Sequence, residues 1–477
     1  MVVIGGGLAG IVAALDCAAA GAEVTLLEVR RRLGGAAYSF EREGLQMDNG
    51  QHVFLRCCCA YRGLLARLGS EQLTTLQPRL EIPVLKPGCR PALLRRGSLP
   101  APAHLTGALA SYPHLSLLQR LGAARAALGL MRLDPADPVL DRISFADWLA
   151  RHGQGPPAVA ALWDLIALPT INLPAVEASL ALAAFVFQTG LLSGADAGDI
   201  GFHDATLDET LGEPAIRALR EAGVEVRLGW RAERVQRSAN GLEVHGRGPR
   251  EEETVASDGL GAEAIVVALP HPRAAALLGP LLGDSAHAWT GLGSSPIVNL
   301  HIVYDRRVID ESFAAGVGTP VQYLFDRSAA AGAPAGCQYL AVSLSGAERE
   351  MQMSMDGLRE LYLPALEKLL PRAHEAKVEM FLATREHAAT FRAAPGTAAL
   401  RPGPTTAIPG LVLAGAWTAT GWPATLEGAV LSGHAAARSA LGALELDGQT
   451  VGGAIDPLAS APAASAGVAG GDGALAR

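Results

Sequence analysis

Three glycine clusters hold the residues whose types and spacing imply chemistry. The first, Gly5-Gly6-Gly7-Leu8-Ala9-Gly10, follows the β-branched run Val2-Val3-Ile4 and precedes an apolar stretch, Ile11 to Ala20. A pyrophosphate at a helix N-terminus meets free backbone N–H groups and the positive end of the helix dipole, and side chains at Gly5, Gly7 or Gly10 would block it. Glu28 ends the next apolar run, 28 − 10 = 18 residues after Gly10. A carboxylate there suits the hydroxyl pair of a ribose and disfavours a 2′-phosphate. The second cluster is Gly34-Gly35, after Arg30-Arg31-Arg32-Leu33. A nicotinamide dehydrogenase does not require it, whereas an extended FAD uses a second backbone turn; the plain alternative is an Arg-rich turn. The third runs from Leu413-Ala414-Gly415-Ala416-Trp417-Thr418 through Thr425-Leu426-Glu427-Gly428. It reads as another strand, glycine loop and helix start, with N–H groups for an electron-rich ring edge.

A polar run, Asp48-Asn49-Gly50-Gln51-His52, lies between the second cluster and the apolar Val53-Phe54-Leu55. Gln51 and His52 are the candidate catalytic residues, placed to contact a ring cofactor or a substrate oxygen. The alternative is a turn with an internally satisfied histidine. The sequence shows no HxxxH, HxxE or Cys/His ligand spacing, so no metal is expected. Cys57-Cys58-Cys59 reads as small packing residues.

The elements that must position these residues follow from periodicity. Val2–Ile4, a helix from Ile11 to Ala20 and a strand from Glu23 to Glu28 make a βαβ unit. Residues 98–200 are rich in Leu and Ala and mainly helical. Strands are predicted at Val224–Leu228, Leu242–His245, Ala264–Ala268, 296–304, 337–344 and Leu411–Ala414, with a helix near 355–370. The expected class is α/β: a discontinuous Rossmann-like FAD-binding domain (1–97, 201–275 and 396–443) and an inserted α+β substrate domain (98–200 and 276–395). Residues 444–477, rich in Ala, Gly, Ser and Pro without periodicity, read as a disordered tail.

Composition narrows the partners. The 477 residues carry 39 basic and 47 acidic side chains, a net charge of −8, and only three of the basic residues are Lys. There is no basic cluster with interleaved aromatics, which argues against nucleic acid. Six cysteines without a regular framework fit a reducing, cytoplasmic setting. The chain starts directly on a strand and glycine loop, so no secretory signal is expected. The most apolar stretch, about Leu168 to Leu192, contains Pro169, Pro174 and Glu177 and reads as a buried or interfacial helix.

Together the three glycine clusters resemble the FAD-dependent amine oxidase and phytoene desaturase superfamily. Asp48–Leu55 and Leu413–Thr418 look like its squalene-associated branch, the hydroxysqualene dehydroxylases. The resemblance implies FAD as cofactor, with Gly5, Gly7, Leu8, Ala9 and Gly10 at the pyrophosphate and Glu28 at the adenosine ribose. It implies Arg30, Gly34 and Gly35 along the adenosine diphosphate and the Val235 backbone at adenine. Gly415 and Ala416 would follow the ribityl chain, and Thr425 and Leu426 would meet the flavin ring. Many relatives have Arg where Ala36 stands and an acid where Ala416 stands, which implies a weaker polar grip on FAD. The implied reaction is reduction of hydroxysqualene, an apolar isoprenoid alcohol, to squalene with loss of water, driven by an unidentified electron donor. A bilayer-dissolved substrate implies peripheral membrane contact, with an apolar patch within 98–200. A carotenoid-type desaturase shares these features. An amine oxidase fits less well, because an aromatic is common where Thr425 stands and a Lys is common on a central strand such as Val298–Tyr304.

Overall fold

Val2, Val3 and Ile4 are all buried, as a short apolar run with no alternation requires of a central parallel strand. In the computed structural model, which describes residues 1–239, 241–248 and 259–446, this strand pairs in parallel on both sides. The sheet order is Glu225–Leu228, Thr25–Glu28, Val2–Ile4, Ile265–Val267, Leu411–Leu413. Helices Leu8–Ala19 and Leu426–Ala443 pack on it and on each other. Their approach is set by Gly433, where a Cβ would lie 2.5 Å from the Ala9 carbonyl oxygen. The hairpin of Arg231–Ser238 and Gly241–Arg247 stands beside this sheet as part of a three-stranded one. Its entry is tied down where the Trp230 N–H donates to the Glu28 carbonyl.

The second layer is a seven-stranded sheet: Val378–Phe391, Ser294–Tyr304, Gln338–Ser345, Tyr323–Asp326, Phe313–Gly316, Glu81–Leu85, Ala92–Arg95. Two expected domain boundaries therefore shift. Residues 81–95, grouped with the cofactor domain, extend this other sheet, joining it by a parallel pairing to Phe313–Gly316. Pro83 sits inside the Glu81–Leu85 strand, and a proline in a short run hides a strand from propensity reading. The boundary expected after residue 275 cuts the helix His271–Leu282, whose Ala274 and Leu278 pack in one core with Val2 and Ile4. The 14-residue strand Val378–Phe391 was not foreseen, because Thr384-Arg385-Glu386-His387 interrupts its apolar pattern.

The 98–200 segment is helical, including Leu117–Leu130, Asp164–Ile171 and Leu180–Phe187. Leu168–Leu192 is thus broken into separate helices, and among the described residues no helix is long and apolar enough to cross a membrane. The expected tail lies outside the described residues from 447 onward.

The first glycine turn gives the fold a sharp test. Gly5 has φ +110°, and a Cβ on Gly10 would fall 1.9 Å from the Gly5 carbonyl oxygen. Gly10→Ala is expected to lower stability by about 1–3 kcal/mol, the usual cost of overpacking. Gly442→Ala, whose Cβ would meet nothing within 4 Å, serves as the neutral control. Denaturant unfolding of both variants checks this, and equal stabilities would refute the close approach.

Candidate flavin and substrate site

The two N-terminal glycine turns meet backbone to backbone. The Gly34 N–H donates to the Gly6 carbonyl at 2.9 Å, and a Cβ on Gly35 would lie 2.8 Å from the Gly7 Cα. Glu28, buried between them, ties the pair together: Oε2 accepts from the Gly6 N–H at 2.7 Å and Oε1 from the Arg30 N–H at 2.8 Å. Each oxygen keeps a second lone pair for a ligand hydroxyl. The Arg30 guanidinium donates to the Gly35 carbonyl at 3.0 Å, and Arg32 stacks on the Tyr38 ring at 3.5 Å. Gly7 gives the helix Leu8–Ala19 no side-chain cap, so no capping side chain occupies the N–H groups of Leu8, Ala9 and Gly10. Val235 sits in the adjoining hairpin, buried opposite Val244.

The C-terminal loop closes on the same place through Leu269. That residue's side chain would meet a Cβ on Gly5 at 3.2 Å, and its carbonyl accepts from Trp417 Nε1 at 2.9 Å. Gly415, at φ +137°, donates its N–H to Ser432 Oγ at 2.9 Å. Thr425 caps the helix Leu426–Ala443, its hydroxyl accepting from the Gly428 N–H at 3.2 Å. The next residue but one, Glu427, is 1% exposed, and its carboxylate accepts from the N–H groups of Ala60 and Tyr61 at 3.0 and 2.7 Å. It caps the helix Cys59–Leu68 and so joins the two helix starts.

Sequence reading did not find Arg401. Its guanidinium gathers the carbonyls of Ala416, Trp417, Thr418 and Trp422, with Thr420 Oγ1, and holds the loop in one shape. Burial pushes its pKa down to about 10. One arginine among 36 carries no distinguishing local signal, so it becomes visible only when the loop closes.

The polar run lies between these parts. Asn49 donates from Nδ2 to the Ala36 carbonyl and to Glu386 Oε1, both at 2.9 Å. Its own carbonyl accepts from Asn299 Nδ2 at 2.9 Å and Thr384 Oγ1 at 2.8 Å. Thr384 in turn lies 3.0 Å from His301 Nε2, and Tyr339 Oη lies 2.6 Å from His301 Nδ1. Because the Thr384 hydroxyl is spent on Asn49, His301 carries its proton on Nε2 and accepts from Tyr339. A second chain runs from Tyr61 Oη to His203 Nε2 at 2.6 Å, and from His203 Nδ1 to the His52 carbonyl at 2.9 Å. Asp48 accepts from Arg327 Nη2 at 2.9 Å and from Ser39 Oγ at 2.7 Å. The backbone of Gly50, Gln51 and His52 is therefore fixed from several directions.

Two side chains in this run behave differently. His52 Nδ1 lies 3.0 Å from the Gly50 carbonyl, which can only accept, so the ring proton sits there and Nε2 carries a lone pair. Burial lowers the His52 pKa, against the expectation of a proton carried near neutral pH. Gln51 Nε2 is buried with no partner among the described residues. An unpaired buried donor is costly unless a ligand accepts from it. Of the three adjacent cysteines only Cys58 is buried; Cys59 is exposed.

Residues 8–441 match the family described as flavin containing amine oxidoreductase. The chain belongs to that family. It is a flavin-dependent oxidoreductase with FAD as its cofactor. The chain is 29% identical over 439 residues to a hydroxysqualene dehydroxylase of Sinorhizobium fredii, covering 88% of this chain and 93% of that one. It is 23% identical over 449 residues to a zeta-carotene desaturase of Synechocystis, covering 87% and 92%. In fold it is similar to the cyclohexylamine oxidase of Brevibacterium oxydans, with a TM-score of 0.69, 18% identity and coverage of 93% and 99%. The facing glycine turns and the Glu28 lone pairs fit a bound dinucleotide.

The buried histidines set a pH dependence. Burial pushes His203 down to about 3 and His301 down to about 4, from an ordinary 6.5. The unfolded chain then binds more protons over that interval, so both groups contribute stability that is complete above pH 6.5 and lost as pH falls toward 4. The melting temperature is expected to drop between pH 7 and pH 5, and to drop less in His301→Gln. An equal drop in both proteins would overturn the assignment of neutral, buried imidazole.

Proposed function

We propose that this oxidoreductase reduces hydroxysqualene to squalene, releasing the hydroxyl as water. The substrate's C–O bond breaks and a C–H bond forms, with two electrons and two protons balancing the change. Reduced FAD supplies the hydride. The chain's own residues bind the cofactor, exclude water and hold the departing oxygen. In this reading Gly5, Gly7, Leu8, Ala9 and Gly10 hold the pyrophosphate, Glu28 the ribose, and Arg30, Gly34 and Gly35 the adenosine diphosphate. Val235 meets adenine, Gly415 and Ala416 follow the ribityl chain, and Thr425 and Leu426 face the ring.

The observation that carries the choice of reaction is the unpaired Gln51 amide. A desaturase acting on a hydrocarbon has no oxygen for a buried donor to hold, whereas a leaving hydroxyl in an apolar pocket needs one. His52 serves beside it as a neutral acceptor that orients the alcohol. The near-full-length likeness to a hydroxysqualene dehydroxylase supports the same reading. Desaturation is the second reading, favoured by the likeness to zeta-carotene desaturase. Amine oxidation is disfavoured: Thr425 is committed to its helix cap, and Asn299, on the central strand Ser294–Tyr304, holds Asn49 where a lysine would be expected.

The deciding experiment reduces the bound flavin without oxygen, adds hydroxysqualene, and follows flavin absorbance together with squalene. Reoxidation matched by squalene is the expected result; intact alcohol over a flavin that stays reduced would overturn the reading. Bleaching of oxidised enzyme by zeta-carotene would establish desaturation instead.

Two substitutions divide the labour. Gln51→Leu keeps the volume and removes the donor, and should slow squalene formation by about 10²–10³-fold, the usual loss of one positioned donor, with FAD retained. His52→Ala should also retain FAD and slow the reaction by about tenfold, the loss of one orienting hydrogen bond. Full activity in both variants, or loss of FAD from Gln51→Leu, would refute these roles. Glu28→Ala should weaken FAD retention by about 1.5–3 kcal/mol, measured by cofactor titration of the apoprotein.

A further inference from the structure

The helix Leu117–Leu130 is packed inside out. Ser116 and Gln119 form a reciprocal cap at its start: Ser116 Oγ accepts from the Gln119 N–H, and Gln119 Oε1 accepts from the Ser116 N–H. The helix is thus a firmly started element. Yet it buries only Ala123, Ala126 and Leu130, and turns four of its five leucines outward. Leu117, Leu121, Leu128 and Met131 follow one another at helical spacing on the exposed face, and Leu118 beside them is 81% exposed. A face of this kind on a globular protein marks a surface that something apolar covers.

Charge identifies what covers it. The chain carries −8 overall, yet residues 82–133 contain no Asp or Glu and seven basic residues. Two of these, Arg95 and Arg96, are paired with Glu81 and Asp199. Arg125 lies on the exposed face of the helix and Arg132 is exposed just past its end, and neither joins an ion pair among the described residues. Leucines flanked by unpaired arginines, on an otherwise acidic protein, fit an anionic lipid surface, which accepts both the apolar stripe and the positive charge. A second acidic copy of the chain would find the arginines but gain no general attraction.

The position of the helix gives the contact a purpose. Gln188 Nε2 donates to the carbonyls of Leu130 and Leu133 at 2.6 and 2.9 Å. Three residues earlier, Phe185 meets the Trp422 ring of the C-terminal glycine loop, centroids 5.2 Å apart. One layer of helix therefore separates the exposed stripe from the loop beside the cofactor site. We propose that the Leu117–Leu130 helix docks the enzyme on an anionic bilayer, delivering an apolar substrate to the site from that side. The docking itself stands on the surface; only its purpose rests on the isoprenoid reading above.

Co-sedimentation of the FAD-loaded full chain with vesicles tests it. The wild type should bind phosphatidylcholine–phosphatidylglycerol vesicles about tenfold or more tightly than phosphatidylcholine alone, with added salt weakening the difference. Leu118→Glu/Leu121→Glu should abolish binding to both, and Arg125→Gln/Arg132→Gln should remove the lipid preference. Circular dichroism and the bound-flavin spectrum confirm that each variant is folded. No binding by the wild type, or unchanged binding by the leucine variant, would overturn the proposal. So would a leucine variant that only converts a dimer to a monomer, which would assign the face to a second copy. No squalene-forming step enters this assay, so its failure is separate from failure of the dehydroxylation reading.

Discussion

At Gly7 and Gly35 two turns of main chain touch with no side chain between them. That single contact fixes how the first strand–helix unit meets the Arg30–Gly35 segment, and Glu28 spans it with both carboxylate oxygens. Everything that follows in the site is measured from there. The second turn carries Ala36 and Tyr38, which bind the Asn49 side chain. Asn49 carries the strand end toward Gly50, Gln51 and His52. A side chain at Gly35, where a Cβ would lie 2.8 Å from the Gly7 Cα, would move the polar run as well as the first glycine turn.

Glycine clusters, a strand-ending acid and apolar runs are local patterns, and the parallel sheet with its first helix was legible from them. The Asp48–His52 run was legible as a motif, because five polar residues stand between a glycine pair and an apolar stretch. What it does there was not. His52 was read from its ordinary titration, and only the fold shows that burial lowers its pKa, against the opposing pull of the Gly50 carbonyl, which fixes the ring proton on Nδ1. Arg401, Asn299, Thr384 and His301 were invisible for a different reason. Their partners lie from 15 to 335 residues away, and no local spacing encodes such distances.

The site joins strong and weak parts by different physics. The glycine turns are held by backbone contacts that do not titrate. The polar run is held by imidazoles and hydroxyls together with the Arg327–Asp48 ion pair and Glu386, and these hydrogen bonds strengthen where water is kept out. Arg401 adds a half-buried charge that meets carbonyl dipoles and so fixes the loop. Within the polar run, Gln51 Nε2 is the buried donor left without a partner among the described residues.

The order of the parallel sheet also governs how the protein is made. Its strands leave the ribosome far apart: Leu411–Leu413 closes one edge more than 380 residues after Thr25–Glu28. At roughly 5–20 residues per second, the Ile265–Val267 edge waits about 7–30 s for its partner strand. The Gly415 loop, which meets the first glycine turn through Leu269, is made later still. Closure of this sheet is accordingly a long-range event, made between strands from opposite ends of the described chain.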